Sequence, residues 1–352
     1  MEFVYEMMHR ENQIQSSSYP RAALIGNPSD GYFGKTIAFV FSNFKAEVFL
    51  SPSNKLEIVP HIRDRFEFDN MAELCKDIDQ FGYYGGVRLL KASIKRFFEY
   101  CQSCGKDLEE KNFRLSYRSS IPLRLGLAGS SAIITACIKA LKTYYKVDIP
   151  PHLQANLVLA TEREELGIEG GLQDRVAQSF EVPVFMDFNR DLMERRGYGA
   201  YEVLPVDKLP PLYIAYRRSL SSGSEIVHND LRARYNAGDE KVHAAIQQFS
   251  AISDHVRVML IHAAYDELGT YMDQNFDLRR SIINISQENL RMVELARSTG
   301  ASAKFTGSGG AIIGTYKNES MFEDLKRSLS KEDIEVIKPE IISKHEEVSQ
   351  SY

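Results

Sequence analysis

The sequence predicts an α+β protein, with strands and helices segregated along the chain and not alternating as repeated βαβ units. Two observations lead there. Strand-like runs rich in β-branched and aromatic residues concentrate in the first half, as in Thr36–Leu50 (TIAFVFSNFKAEVFL). From about Glu225 to Ser298 the pattern is almost wholly helical, and the chain then closes strand, helix, strand. That segregation fits α+β lobes better than a doubly wound parallel sheet.

The elements follow in order. Arg21–Gly26 (RAALIG) reads as a short strand ending in the turn NPSDG, and Lys55–Val59 adds another strand. Gly85–Cys101 places Val87, Leu90, Ile94 and Phe98 at helical spacing. Phe113–Tyr117 (FRLSY) is a strand that leads through a glycine-containing loop into a helix over Ser131 to about Tyr145. Pro151 suits the start of a helix that continues over Leu153–Leu166. A glycine-rich turn and a short helix over Leu172–Phe180 come next. Further strands are predicted at Val182–Phe188, Leu212–Tyr216, Ala303–Thr306, Ala311–Tyr316 and Glu335–Lys338, with a helix at Met321–Leu329. The run PVDKLPP at Pro205–Pro211 marks a domain boundary. The expected organisation is a flexible N-terminus over 1–20, a first lobe over 21–210 and a second over 211–345.

Composition narrows the class of function. The 352 residues are 43% hydrophobic and 26% charged, ordinary for a globular protein with room for two domains. The net charge is -5 and no dense run of Lys and Arg appears, so a nucleic-acid partner is not expected. The first 20 residues lack the apolar core of a signal peptide. No stretch approaches the roughly 20 apolar residues of a membrane span, so no membrane partner is expected either. Four cysteines do not suggest a disulfide framework at this length, and a reduced, cytoplasmic setting is expected. Cys101 and Cys104 form a C-x-x-C without a second ligand pair at zinc spacing, and read as two thiols at a helix end.

Two segments carry the chemistry. In Pro122–Ala132 (PLRLGLAGSSA) a strand leads into a loop with Gly126 and Gly129, and Ser130 and Ser131 open a helix. Glycine lets backbone approach a ligand closely, and the free N–H groups at a helix start suit a phosphate. A serine hydroxyl there reaches Mg²⁺ or a phosphate oxygen; the plainer reading is a glycine loop with serine caps. The second segment, TEREELGIEGGLQDRVAQ (Thr161–Gln178), places Glu162 and Asp174 on either side of a Gly170-Gly171 turn. For Glu162 a solvated helix face competes, because Glu164 and Glu165 are neighbours.

Two glycine patterns point elsewhere and are rejected. Gly34-Lys35-Thr36 matches the end of a P-loop, but Ser29 stands where the first glycine belongs and a strand follows the lysine. Gly307-x-Gly309-Gly310 lacks the surrounding βαβ unit of a dinucleotide fold.

Three segments together resemble the motifs of the GHMP kinase superfamily, in the right order. Pro122–Ala132 is similar to its phosphate-binding pattern P-x-x-x-G-L-x-S-S-A, with one extra residue between Leu127 and the serine pair. Leu24–Tyr32 (LIGNPSDGY) resembles the sugar-binding L-I-G-E-H-x-D-Y, with Asn27 and Pro28 in place of Glu and His, and Asp30 matching. Lys304–Ala311 (KFTGSGGA) resembles the third motif, K-x-T-G-x-G-G. The resemblance implies a two-lobed GHMP kinase fold, with a ribosomal-protein-like N-terminal lobe, a ferredoxin-like C-terminal lobe, and ATP between them. It implies ATP and Mg²⁺ as cofactors, with ATP bound by Pro122, Gly126, Leu127, Ala128, Gly129, Ser130, Ser131 and Ala132. By the same resemblance Ser131 and Glu162 hold the metal and Asp174 is the catalytic base.

Over most of 21–316 the chain is further similar to plant-type glucuronokinases, in IGNPSDGYFGKT, GYYGGVRLL, IPLRLGLAGSSAI, ELGIEGGLQDRVAQ and MDF. That family phosphorylates D-glucuronate at the anomeric oxygen. The resemblance implies a small-molecule sugar or sugar-acid site formed by Asn27, Asp30, Tyr32, Tyr84, Arg88, Asp174, Arg175, Thr306, Gly307 and Gly309. A sugar acid also asks for a cation beside its carboxylate, a role suited to a guanidinium fork. Arg88 and Arg175 are the candidates, and a surface ion pair is the alternative for each. Tyr32, Tyr83 and Tyr84 line the sugar or belong to a half-buried core. The alternatives are another GHMP sugar kinase of galactose, arabinose or heptose-phosphate type, or a non-catalytic GHMP-fold ligand sensor. The joint presence of Ser131, Glu162, Asp174 and Thr306 argues against the sensor.

Overall fold

Backbone pairing gathers the strands of the computed structural model, which describes residues 13–61, 64, 67–81, 85–205, 209–217 and 227–342, into four-stranded sheets. The chain divides into two units that interleave in sequence. The first takes residues up to Pro20, Phe44–Leu123 and Ala128–Ser179; the second takes Arg21–Asn43, Arg124–Leu127 and the chain from Phe180 on.

The first unit is built on strands β1 (Ile14–Ser18), β4 (Ala46–Ser53), β5 (Glu57–Val59) and β6 (Asn112–Ser119), ordered β1-β4-β6-β5. The pairs are antiparallel except β5 with β6. Its helices are α1 (Met71–Phe81), α2 (Val87–Ser103), α3 (Gly129–Tyr145), α4 (Pro151–Ala160) and α5 (Gln173–Phe180). Helix α3 is apolar nearly all round, and Ala132, Ile134, Ala136, Cys137, Ile138 and Ala140 are fully buried against β1, β4, α2 and α4.

The second unit holds two antiparallel sheets. One is ordered β2-β3-β7-β8, from Arg21–Ile25, Lys35–Val40, Val184–Asp187 and Ala200–Val203. The other is ordered β10-β11-β9-β12, with β9 at Leu212–Arg217, β10 at Lys304–Phe305, β11 at Ala311–Thr315 and β12 at Ile334–Ile337. Helices α6 (Arg190–Arg196), α7 (Val227–Asn236), α8 (Glu240–Ile261), α9 (Leu268–Ile282), α10 (Gln287–Ser298) and α11 (Glu319–Ser330) complete it. Tyr213, Phe276, Met292, Phe305, Phe322 and Leu325 form one core, and Val242, Phe249, Leu231 and Ile282 another.

The segregated α+β order stands, and several local expectations change. Ile14–Ser18, inside the stretch 1–20 expected to be flexible, is a strand paired in register with Leu50 through Ala46. Its polar sequence hides an edge whose ladder is made by backbone alone. The units also do not follow the boundary expected at Pro205–Pro211. The β2–β3 hairpin pairs with β7, Lys35 opposite Asp187, and this long-range ladder draws Arg21–Asn43 into the second unit. Thr36–Leu50 breaks into β3 and β4 around a turn at 42–44. The helix expected over Leu153–Leu166 begins at Pro151 and widens into a π turn at Thr161–Glu165.

Candidate active site

The chain passes from β6 to α3 through the loop that sequence marks for phosphate. Arg124, Gly126 and Ala128 all take left-handed backbone, at φ 57°, 64° and 61°. Such conformations cost non-glycine residues energy and concentrate at ligand-binding loops. At Gly126 a side chain has no room: a Cβ would lie 2.9 Å from both Gly309 O and Ser308 N. Pro122 and Leu127 stand within this loop, where Leu127 is buried and its carbonyl accepts from the Arg21 amide.

Ala128 is the N-cap residue of α3 and offers no side-chain cap, so no side chain of that residue occupies the helix's first N–H groups. Ser130 is exposed there, and Ala132 is buried one turn in. Ser131 is buried, and its hydroxyl donates to Ala128 O at 3.1 Å, which leaves the oxygen's lone pairs as acceptors. Gln178 of α5 reaches the same carbonyl at 2.9 Å and that of Tyr19 at 3.0 Å.

Glu162, Asp174 and Arg175 come together in the first unit. Glu162 lies in the π turn, a distortion that recurs at functional sites, and its own carbonyl accepts from the Ile168 amide. Arg175 Nε donates to Glu162 Oε2 at 2.6 Å, and Nη2 contacts the same oxygen. Arg175 Nη1 donates to Gly171 O at 2.9 Å and stands 3.6 Å from Asp174 Oδ2. Burial pushes the Glu162 carboxyl above its ordinary range, against the pull of Arg175, and Asp174 pushes the same way as burial. The carboxylate is therefore not a member of a solvated face. Its neighbours Glu164 and Glu165 are, paired instead with Arg96 and Lys95 of α2.

Arg88 stands in the first turn of α2, half-buried. That helix start is tied down by Asp64, which accepts from Val87 N at 3.3 Å and from the Tyr117 hydroxyl at 2.9 Å. Tyr84 and Tyr83 lie outside the described residues.

The remaining expected contacts gather in the second unit. Asn27 is buried, donates to Phe305 O at 3.3 Å, and keeps Oδ1 without a hydrogen-bond partner among the described residues. Asp30 sits in a one-turn 3₁₀ helix, Ser29–Tyr32. Tyr32 is buried, with its ring 5.1 Å from that of Tyr235 and under the Arg232 guanidinium at 4.3 Å. Thr306 is fully buried, and its hydroxyl donates to Ala311 O at 3.3 Å. Gly307 presses on the carbonyl of Gly126, Gly309 has φ 146°, and Gly310 N donates to Asn289 Oδ1 at 2.9 Å.

Behind this loop lie three buried cations, of which motif reading reaches only Lys304, as the residue that opens Lys304–Ala311. Arg21 Nη1 donates to the carbonyls of Gly126 and Thr306. Arg279 donates to Gly307 O at 2.7 Å and Ser308 O at 3.3 Å. Lys304 donates to Ala23 and Phe305 carbonyls. Burial brings the Arg279 guanidinium down to about 10, Asp30 pulling the other way and Arg21 with it. Lys35, the residue of the false P-loop, opens β3 and pairs with Asp254 and Asp187. No helix among the described residues is long and apolar enough to cross a membrane.

Comparison with known proteins places this geometry in a class. Residues 88–181 match the family model described as the GHMP kinases N terminal domain. The chain belongs to the GHMP kinases. Among its relatives are two proteins of Arabidopsis thaliana, probable glucuronokinase 2 and glucuronokinase 1. The first is 43% identical over 85% of this chain and 83% of its own, the second 40% over 85% and 84%. Solved structures agree on the fold. Galactokinase of Lactococcus lactis superposes with a TM-score of 0.76 at 13% identity, covering 97% of this chain and 98% of that one. Mevalonate kinase of Methanococcus jannaschii does so at 0.66 with 18% identity, covering 94% and 98%. The α+β GHMP fold and the ATP-dependent kinase class expected from the three motifs are thereby established.

Proposed function

We propose that this kinase phosphorylates D-glucuronate at the anomeric oxygen and releases glucuronate 1-phosphate and ADP. The observation that carries the reading is the 43% and 40% identity, each over 85% of the chain, to the two plant glucuronokinases.

Within that reading the loop Pro122–Ala132 cradles the phosphates with backbone N–H groups. Asp174 orients the anomeric hydroxyl and takes its proton as the oxygen bonds to the γ-phosphorus and the bond to ADP breaks. The donor set fits Mg²⁺, a hard cation that prefers one or two carboxylates plus phosphate oxygens. Ser131 Oγ keeps acceptor capacity, and the Arg175 pair uses only one oxygen of Glu162. A divalent cation there would neutralise phosphate charge. Asn27, Asp30, Tyr32, Thr306, Gly307 and Gly309 are assigned to the sugar side. The buried, unpartnered Oδ1 of Asn27 supports its part, since it calls for a donor such as a sugar hydroxyl. Thr306 is fully buried with its hydroxyl bonded to Ala311 O, and Tyr32 is buried beside Tyr235. Arg175 is enclosed by its own chain, so Arg88 is the candidate for the substrate carboxylate.

A sugar panel followed by ADP release, with the product position read by phosphorus NMR, tests the substrate. The expected result is a kcat/KM for glucuronate far above that for glucose. Arg88→Ala should lower that ratio roughly 10- to 150-fold, the worth of a charge-assisted contact. A wild-type ratio near one would replace the sugar acid with a neutral sugar.

A further inference from the structure

Arg175 has the burial and the partners of a side chain that organises other side chains. Its side chain is 6% exposed and Glu162's is 2% exposed. Nε and Nη2 both face Glu162 Oε2, while Nη1 serves Gly171 O and stands beside Asp174. A substrate carboxylate gripped in bidentate fashion needs two parallel N–H groups on one edge. Here the Nε/Nη2 edge is taken by Glu162, and Nη1 is divided between a carbonyl and a second carboxylate.

The local sequence is built around this guanidinium. A Cβ on Gly170 would fall 2.8 Å from both Nη1 and Nη2, so the Gly170-Gly171 turn leaves the space in which the group lies. The π turn carries Glu162 and the first turn of α5 carries Asp174 and Arg175, and the guanidinium ties the two segments together. Two carboxylates and one guanidinium leave a net charge of one negative, which a further cation would offset.

We propose that Arg175 is a positioning residue: it holds Glu162 and Asp174 in one cluster and does not touch the substrate's carboxylate. The inference rests on the roles proposed above for those two acids. Side chains that hold a metal ligand in place typically carry about 10- to 100-fold of metal affinity or activity.

The test compares wild type with Arg175→Met and Arg175→Lys, using Mn²⁺ binding to the ADP complex by electron paramagnetic resonance, which needs no turnover. In Arg175→Met, Mn²⁺ affinity and kcat should each fall about 10-fold or more, while KM for the sugar that is turned over changes less than about 10-fold. Arg175→Lys should restore part of the metal affinity. A double-mutant cycle with Glu162→Gln should be strongly non-additive, because the first change removes the partner that the second would release. The opposite pattern overturns the inference: unchanged or tighter Mn²⁺ binding with KM for the sugar acid raised roughly 10- to 150-fold. If Arg175→Met fails to fold, Arg175→Lys takes its place both in the Mn²⁺ titration and in the cycle with Glu162→Gln, and additive effects there overturn the inference equally. A wild type that ignores glucuronate but phosphorylates another sugar sinks the substrate assignment alone, since the metal readout is independent of the sugar.

Discussion

Lys304 donates a 2.7 Å hydrogen bond to the carbonyl of Ala23, joining β10 to β2 from a position with no exposed surface. Burial pulls its ammonium well below the ordinary lysine value, and Arg279 and Arg21 pull the same way. The unfolded chain, with a lysine pKa of about 10.4, then binds more protons than the folded one. Stability from this residue must therefore rise with pH, up to the ordinary lysine value, by at most about 1.4 kcal/mol per unit. The expected outcome is that wild type gains on Lys304→Met between neutral pH and about pH 10. Urea unfolding of both proteins at matched pH checks it, and a flat or falling difference would mean the ammonium carries no burial penalty.

The two glycines of the phosphate loop should respond oppositely to alanine. Gly126 has φ 64° and a Cβ there would lie 2.9 Å from backbone atoms of Ser308 and Gly309. Gly126→Ala should cost about 1–3 kcal/mol through strain that neither loop can relieve. Gly129 begins α3, and its added Cβ would meet only Ile121, at an ordinary 3.4 Å. Gly129→Ala should be neutral or stabilise by up to about 1 kcal/mol, through helix propensity. Thermal unfolding of the two variants decides the matter; equal losses would contradict the loop geometry.

What was legible in the sequence followed from periodicity and punctuation. Helix α3 shows itself by its apolar run, and α4 by Pro151 at its start. Helix α6 was equally legible and went unread: Asn189 caps it through Asp191 N and Leu192 N, and Gly197 closes it with φ 75°. Strand β1 was not, because IQSSS carries no alternation and owes its place to Phe49 and Val48 of β4 across the ladder. For the proposed site, the resemblance to the GHMP kinases singles out Glu162 and Asp174. It could not say that Arg175 pairs with both, since nothing in a linear string shows that a guanidinium folds back over its own glycine turn. Arg21 and Arg279 escaped for a related reason, and the burial of Lys304, which opens the third motif, escaped with them. They stand far apart in sequence, inside strands and a helix, and only the fold brings them behind one glycine loop.

Asp174 gives the sharpest separation of chemistry from structure. Its side chain is partly exposed, at 19%, in the first turn of α5, and asparagine keeps its size and shape. The Arg175 guanidinium keeps its Glu162 and Gly171 partners when the Asp174 charge is removed, so the fold loses little. Asp174→Asn should therefore unfold close to wild type and bind nucleotide normally. Its kcat should drop roughly 10²- to 10⁴-fold, the usual worth of a general base. Single-turnover quench-flow with saturating ATP isolates the transfer step from product release. A transfer rate within a few fold of wild type would assign Asp174 to orientation of the hydroxyl at most, because a loose transition state asks for little proton removal before the phosphoryl group has moved. A variant that loses stability along with rate would instead mark the carboxylate as part of the scaffold around Arg175.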